Sequence, residues 1–505
     1  MTKDSSGILP SFITTAILFS SLLIYVSSTK LSATPPTVCI IGSGIGGSSV
    51  AHFLRKYSNS GLNDAQIGEI RIFERHGVVG GRMATITIGG ETFEAGASIL
   101  HPKNYHALDF SRLLNLTIKK PPSSTCGISL GIWNGQEFVF KTINSDSEHW
   151  IIQSLVSFAN SMKMFFRYGL SLFSMNNFVK ELLGNFLKYY KPFEFRPAFE
   201  TVEEMLKWAE LYNLTQRTLA EELVDSGVSE RLIQELVTVI TRVNYGQSVS
   251  ISGLAGAVSL AGSGGGLWSI KEGNWQMAAG LINHSNVLLH LNEEINSLSH
   301  FGDFYELNST KGESYTCHIT VIATPLDELN INFRPGISIP KRTLQHTHTT
   351  FVRGLVNPNY FGLNRVSDVP ELVGTTETLD VPFSSISVLK QHNKEDVTYK
   401  IFSREPMSEA LLDHIFSVRN ETIRIDWGAY PHYHAPEKFA PIILDHQNLY
   451  YLNAFESAAS SMETSAVAAE NIARLILLRL SRQGLSSAGD LKSSADDPSE
   501  LHLDL

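Results

Sequence analysis

The residues best placed to do chemistry lie near the start of the chain. Gly42-Ser43-Gly44-Ile45-Gly46-Gly47 follows the apolar run Thr37–Ile41 and precedes a helical stretch, Ser48–Tyr57. Gly42 permits a tight turn, Gly44 lets the backbone approach a pyrophosphate, and Gly47 lets helix and strand pack closely. The free N–H groups at the helix start then offer partial positive charge to phosphate. The next apolar run, Glu69–Phe73, ends at Glu74 and Arg75, and Glu74 lies 27 residues beyond Gly47. The usual gap is about 20 residues, and the polar loop Asn59–Gly68 takes up the excess. A carboxylate in that place accepts from ribose hydroxyls and disfavours a 2′-phosphate. Strand, glycine turn, helix, strand and acid in this order predict a dinucleotide site.

Directly after the acid comes Gly77-Val-Val-Gly80-Gly81-Arg82, then Glu94-Ala95-Gly96-Ala97-Ser98. These segments resemble those of FAD oxidases of the amine-oxidase type. The resemblance implies that Gly80, Gly81 and Arg82 close over the pyrophosphate and that Gly96, Ala97 and Ser98 pass the flavin ring. A guanidinium there makes charge-assisted, often bidentate bonds. It also implies that the backbone near Ile295 meets the adenine and that Val321–Pro325, with Ala323, returns under the cofactor. Asn453–Glu456 and Met462-Glu463-Thr-Ser-Ala resemble the C-terminal flavin segment. There, backbone N–H groups at a helix start stabilise negative charge on the flavin's pyrimidine end. FAD is the expected cofactor.

The block Trp427-Gly-Ala-Tyr430-Pro-His432-Tyr433-His434-Ala-Pro436, followed by Leu449–Asn453 and Glu456–Met462, resembles the prenylcysteine oxidase (farnesylcysteine lyase) family; His101-Pro102 agrees. The resemblance runs from about Thr37 to about Leu480. It implies oxidative cleavage of S-prenylcysteine thioethers to a prenyl aldehyde, cysteine and hydrogen peroxide, with oxygen as acceptor. C1 of the prenyl group is allylic and bonded to sulfur, so hydride loss there leaves a stabilised cation. Water adds, and the hemithioacetal collapses to aldehyde and thiol. Such a route needs positioning and desolvation more than a strong base, so no side chain is assigned as catalytic. His101 and His432 are candidates to orient substrate or water. Two other readings stay open: an amine oxidase or desaturase-like flavoprotein with a lipophilic substrate, and a flavin-bound but inactive lipid carrier.

The elements that must position these residues predict an α/β fold: a Rossmann-type FAD-binding domain of the amine-oxidase kind, with an α-helical insertion and a mixed β-sheet substrate domain. The FAD-binding domain is expected in three parts, 36–110, 246–335 and 431–480. Substrate-domain segments are expected at 111–245 and 336–430. Gly89-Gly90 predicts a hairpin between Thr85–Ile88 and Glu91–Phe93, and Thr201-x-x-Glu204 predicts a capping box. Between Trp150 and Phe199 stand 13 aromatic residues in 50, against 10% aromatic overall. Trp150, Phe158, Phe165, Phe166, Phe173 and Phe178 are candidates to line a prenyl slot, to contact membrane peripherally, or simply to pack in the core.

Residues 1–28 read as a signal peptide or an uncleaved anchor, and 484–505 as a disordered tail. With a signal sequence, the sequons at Asn115, Asn213, Asn283, Asn308 and Asn420 fit a glycoprotein of the secretory pathway, lysosome or vacuole. A net charge of −10 argues against nucleic acid as a partner. Cys39, Cys126 and Cys317 exclude a disulfide scaffold and a four-cysteine metal site, and Cys39 is expected as a core residue. Gly127-Ile-Ser129-Leu-Gly131 spells a hydrolase motif but is followed by strand and turn rather than helix. The pairs His346/His348 and His432/His434 have no third ligand at convincing spacing. No metal is expected, and the sequence does not specify an oligomeric state.

Overall fold

The computed structural model describes residues 35–59, 66–120, 128–143 and 150–493. The signal or anchor segment, Cys126 and the end of the expected tail lie outside them. Among the described residues no helix is long and apolar enough to cross a membrane.

The apolar runs read as strands form a parallel five-stranded sheet, in the order Leu449–Tyr451, Ile319–Ile322, Val38–Ile41, Ile70–Glu74, Leu288–Leu291. Val38–Ile41 is buried at all four residues, as expected of a central strand covered on both faces. Helix α1 (Ile45–Ser58) follows it and buries Val50, Ala51, Phe53 and Leu54. Against α1 packs the C-terminal helix, Met462–Ser493, whose buried Ala466, Ala469 and Ala473 allow close approach. This helix continues through residues 484–493, which the sequence reading places in a disordered tail.

A second, mixed sheet of seven strands has the order Phe416–Pro431, Leu344–Val356, Asp396–Ser403, Ser385–Asn393, Leu372–Thr375, Leu130–Trp133, Phe138–Lys141. Strand alternation divides its two faces. Val352, Tyr399, Ile401 and Ile386 enter a separate core with Trp133 and Phe361, while Thr349, Lys400, Phe402 and Ser387 face a large cavity. The predicted hairpin is present, with Thr85–Ile88 paired to Glu91–Glu94, and so is the capping box of Thr201 and Glu204.

The helical insertion opens with α2 (Trp150–Tyr168) and α3 (Ser171–Phe186). Here the prenyl-slot reading needs correction. Phe158, Phe165, Phe166 and Phe173 are exposed, and Phe178 is buried in the main core. The cavity is instead met by Leu182, Leu183 and Phe186 near the end of α3.

The expectation for cysteine also changes. Cys39 is a buried core residue, but it is bonded to Cys317, with a Cα–Cα distance of 5.8 Å across 278 residues of sequence. The parallel pairing of Val38–Ile41 with Ile319–Ile322 brings the two together. Three cysteines are too few for a scaffold of several bridges, but enough for this one.

Three measurements check this architecture. A Cβ on Gly47 would stand 2.0 Å from the Gly42 carbonyl oxygen. Gly47→Ala should therefore lower unfolding stability by about 3 kcal/mol in urea. Thiol titration of the denatured, unreduced chain should give one thiol, rising to three after reduction. Removing the bridge in a Cys39→Ala/Cys317→Ala chain should cost about 3 kcal/mol.

Candidate active site: one cavity from the glycine turn to the second sheet

A cavity of about 1160 Å³ opens over the carboxyl ends of the parallel strands and extends to the second sheet. Single ligand pockets are typically about 300–1,000 Å³, so there is room here for a large cofactor and a second molecule.

At one end the two glycine turns meet. Gly42 has φ +110°, and a Cβ there would lie 2.7 Å from the Ala323 carbonyl oxygen. Gly44 bridges to Gly80 and begins α1 without a side-chain cap, and no acidic residue occupies the first turn. The helix thus presents uncompensated N–H groups at the cavity, an arrangement suited to a pyrophosphate. Gly47 does not line the cavity; it packs beneath Gly42. Glu74 is buried at its edge and accepts from Ser43 N (3.1 Å), Ser43 Oγ (2.6 Å) and His76 N (3.0 Å). A carboxylate has lone pairs to spare beyond these three for sugar hydroxyls. Ile45, Gly46, Arg75, Gly81, Ile295 and Ala323 line the same cavity. The residues present therefore fit a dinucleotide.

Arg82 lines the middle of the cavity and is held from behind. Its Nη1 donates to the Ala429 carbonyl (2.6 Å) and pairs with Glu456 (2.5 Å). Glu456 itself does not line the cavity. It also takes Arg342 (3.4 Å), Asn453 Nδ2 (2.9 Å) and Ser460 Oγ (3.0 Å). Burial alone would raise its carboxyl, but the Arg82 and Arg342 guanidiniums outweigh burial and hold it below the usual range.

The Glu94–Ser98 segment is fixed by neighbours on every side. Trp427 Nε1 donates to the Ala95 carbonyl (3.2 Å), Asn274 Nδ2 to that of Ala97 (2.9 Å), and Lys400 Nζ to that of Glu94 (2.9 Å). A Cβ on Gly96 would stand 2.0 Å from the Arg82 carbonyl oxygen, so only glycine lets the two segments touch. The C-terminal helix starts at the cavity with Met462 and Glu463. The Glu463 carboxylate accepts from His106 N (2.8 Å), Ala107 N (3.1 Å) and Tyr190 OH (2.5 Å). It thereby caps the helix Tyr105–Leu113 at its positive end.

The apolar end is walled by Leu182, Leu183 and Phe186 of α3, with Val258, Tyr245 and Tyr430. The last two rings meet edge-on at 4.8 Å. His101 lines the cavity, and its Nδ1 accepts from Lys103 N. His432 does not line it; burial lowers its pKa, helped by nearby His434, Arg404 and His346. His346 and His348 both turn Nδ1 toward Asp426, at 2.9 and 3.6 Å. Among the described residues no group of three or more potential ligands is arranged to hold a metal. Ser129 is buried, and its Oγ accepts from Glu371 N.

Sequence reasoning missed Lys400, Thr347 and Thr349, which the second sheet carries into the cavity. Strand alternation alone marks each as lying on one face, but not which face meets a ligand.

The match with known proteins agrees with this geometry. The family described as prenylcysteine lyase matches residues 151–489, and that described as NAD(P)-binding Rossmann-like domain matches residues 40–114. The chain is 61% identical over 471 residues to farnesylcysteine lyase of Arabidopsis thaliana, covering 93% of each protein. It is 34% identical over 477 residues to prenylcysteine oxidase 1 of Homo sapiens, covering 88% of this chain and 90% of that protein. Two solved structures share the fold, each covering 88% of this chain and 99% of their own. They are a double mutant of putrescine oxidase (TM-score 0.57, 12% identity) and cyclohexylamine oxidase from Brevibacterium oxydans (TM-score 0.54, 15% identity). With both the Rossmann-type nucleotide end and the longer region beyond it matched, this chain belongs to the prenylcysteine lyase family.

Proposed function

We propose that the protein is an FAD-dependent enzyme that cleaves the thioether of S-prenyl-L-cysteine to a prenyl aldehyde and cysteine, with oxygen as the final acceptor and peroxide as its product. The observation that carries this reading is the single cavity, which joins a dinucleotide cradle to an apolar wall, in a chain 61% identical to a farnesylcysteine lyase. Gly42, Gly44, Glu74 and Arg82 are the residues suited to hold the cofactor. Flavin supplies two-electron oxidation; the chain's residues bind, orient and exclude water. A farnesyl chain has about fifteen carbons, and at about 0.8 kcal/mol per buried CH2 its sequestration contributes up to ~10 kcal/mol before ordering costs. The apolar residues of α3 and the Tyr245–Tyr430 pair offer that surface.

We also propose a location in the secretory pathway, lysosome or vacuole, as the signal-like N-terminus and the sequons suggest. The Cys39–Cys317 bridge supports an oxidising compartment. Asn115, Asn213, Asn283 and Asn420 are exposed and open to glycosylation. Asn308 is half-buried and engaged with Ser297 and Ser314. Peripheral membrane contact is supported by one face of α2, where Leu155, Phe158 and Phe166 project at helical spacing, and by Leu170 and Phe173 beyond it. Phe166 is 78% and Leu170 72% exposed, levels a core role does not explain. Lipid is the fitting occupant because the proposed substrate itself partitions into membrane.

Three outcomes are expected. Purified flavinylated protein given farnesylcysteine should release thiol, farnesal and peroxide; absence of substrate-dependent thiol would remove the proposal and favour a carrier. Arg82→Ala should retain at least about tenfold less flavin after dialysis, read by absorbance. A Phe158→Asp/Phe166→Asp chain should bind neutral phosphatidylcholine vesicles at least about tenfold more weakly in flotation, with equal activity on detergent-dispersed substrate.

A further inference from the structure

Two opposite charges face the cavity without meeting each other. Lys400 is only 6% exposed. Its Nζ donates to the Glu94 carbonyl oxygen (2.9 Å) and to Ser98 Oγ (3.2 Å), both neutral acceptors. An ammonium has three N–H donors, so one is left over. The ring of Phe402 lies 4.7 Å from Nζ and that of Phe351 5.7 Å, which shields the cation from water. Glu94 accepts from Asn274 N through Oε1 (2.6 Å), while its Oε2 is buried without a partner. Among the described residues neither group belongs to an ion pair.

The separation of the two follows from the backbone. Lys400 sits on the main-chain oxygen of the residue whose carboxylate is unpaired. The two charges are therefore held within one glutamyl side chain and one hydrogen bond of each other. Two hydroxyls share this face of the sheet, Thr349 two residues and Thr347 four residues along the strand from Phe351, the partner of Lys400. Thr349 pairs with Phe402, Phe351 with Lys400, and Lys400 with Ser387, and alternation turns Thr347 the same way as Thr349. The Oγ1 atoms of Thr347 and Thr349 are buried without partners. All four residues line the cavity.

Lys400 and Glu94 act on each other, and Lys119 on Glu94, only across space and without an ion pair, and a buried charge so incompletely compensated is costly. Burial pushes the Glu94 carboxyl up to about 7 and the Lys400 ammonium down to about 8. A ligand carrying one negative and one positive group, spaced as in an α-amino acid, would relieve both. Flavin carries no cationic group that would neutralise Glu94.

We propose that Lys400 and Glu94 form the head-group subsite for a zwitterionic α-amino acid. Lys400, with the hydroxyl of Thr349, takes the α-carboxylate; Glu94 takes the α-ammonium. The inference rests on the prenylcysteine reading for the identity of the ligand, and adds the residues that select its polar end. In this arrangement the charged head fixes the direction in which the apolar chain enters.

The test compares three thioethers: S-farnesyl-L-cysteine, S-farnesylcysteamine without the carboxylate, and S-farnesyl-3-mercaptopropionate without the amine. The natural chain should favour the first over either analogue on the order of 100-fold in kcat/KM. Lys400→Met should abolish the preference over the cysteamine analogue and keep that over the mercaptopropionate. Glu94→Gln should do the reverse. A second readout needs no turnover: the unreactive S-dodecyl-L-cysteine, titrated by flavin fluorescence, should bind each variant on the order of 100-fold more weakly per flavin bound. Equal treatment of all three thioethers by the natural chain would overturn the subsite, as would a uniform loss across all three in each variant. If the natural chain binds dodecylcysteine selectively but cleaves nothing, the proposed reaction fails and the subsite stands.

Discussion

Glu456 is the buried carboxylate on which the site depends. It gathers Arg82 from the second glycine turn, Arg342 from the entry to the second sheet, and Asn453 and Ser460 from the C-terminal segment. Arg82 and Arg342 come from regions far apart in sequence, and this one carboxylate takes both. Breaking such a pair leaves a charge stranded in a low-dielectric interior, which costs far more than an exposed ion pair contributes. The cofactor end and the substrate end are thus tied to one another electrostatically as well as by packing.

Around that node the two sheets divide the work. The parallel sheet delivers backbone: glycine turns, a helix start and carbonyl oxygens, with few side chains. The second sheet delivers side chains, because alternation lets one face complete a separate core while the other stays free for chemistry. Its long strands, Leu344–Val356 and Phe416–Pro431, pair along nearly their whole length. That pairing holds this wall of the cavity in one geometry, and in an enzyme misplacement of reacting groups by about 1 Å is expensive in rate.

What could be read from the sequence was whatever the backbone dictates locally. The glycine turns, the Gly89-Gly90 hairpin and the Thr201–Glu204 capping box each depend on a few adjacent residues, and each stands where it was expected. Contacts set by tertiary pairing were not legible. The Cys39–Cys317 bridge needs knowledge of which strands lie side by side. Lys400 sits in an ordinary alternating strand, where a lysine reads as solvent-facing. The aromatic helices show the limit most plainly: their apolar stripe is evident from spacing, but whether it faces core, ligand or lipid depends on what surrounds it.

The bridge beneath the parallel sheet has one more consequence. An enzyme that liberates cysteine makes a reductant capable of thiol–disulfide exchange. Exchange requires a thiolate to reach a disulfide sulfur in line, and both Cys39 and Cys317 are wholly shielded from solvent. Turnover therefore does not erode the covalent tie between the central strand of the parallel sheet and the segment that leads into its neighbour Ile319–Ile322, and the protein is insulated from its own product.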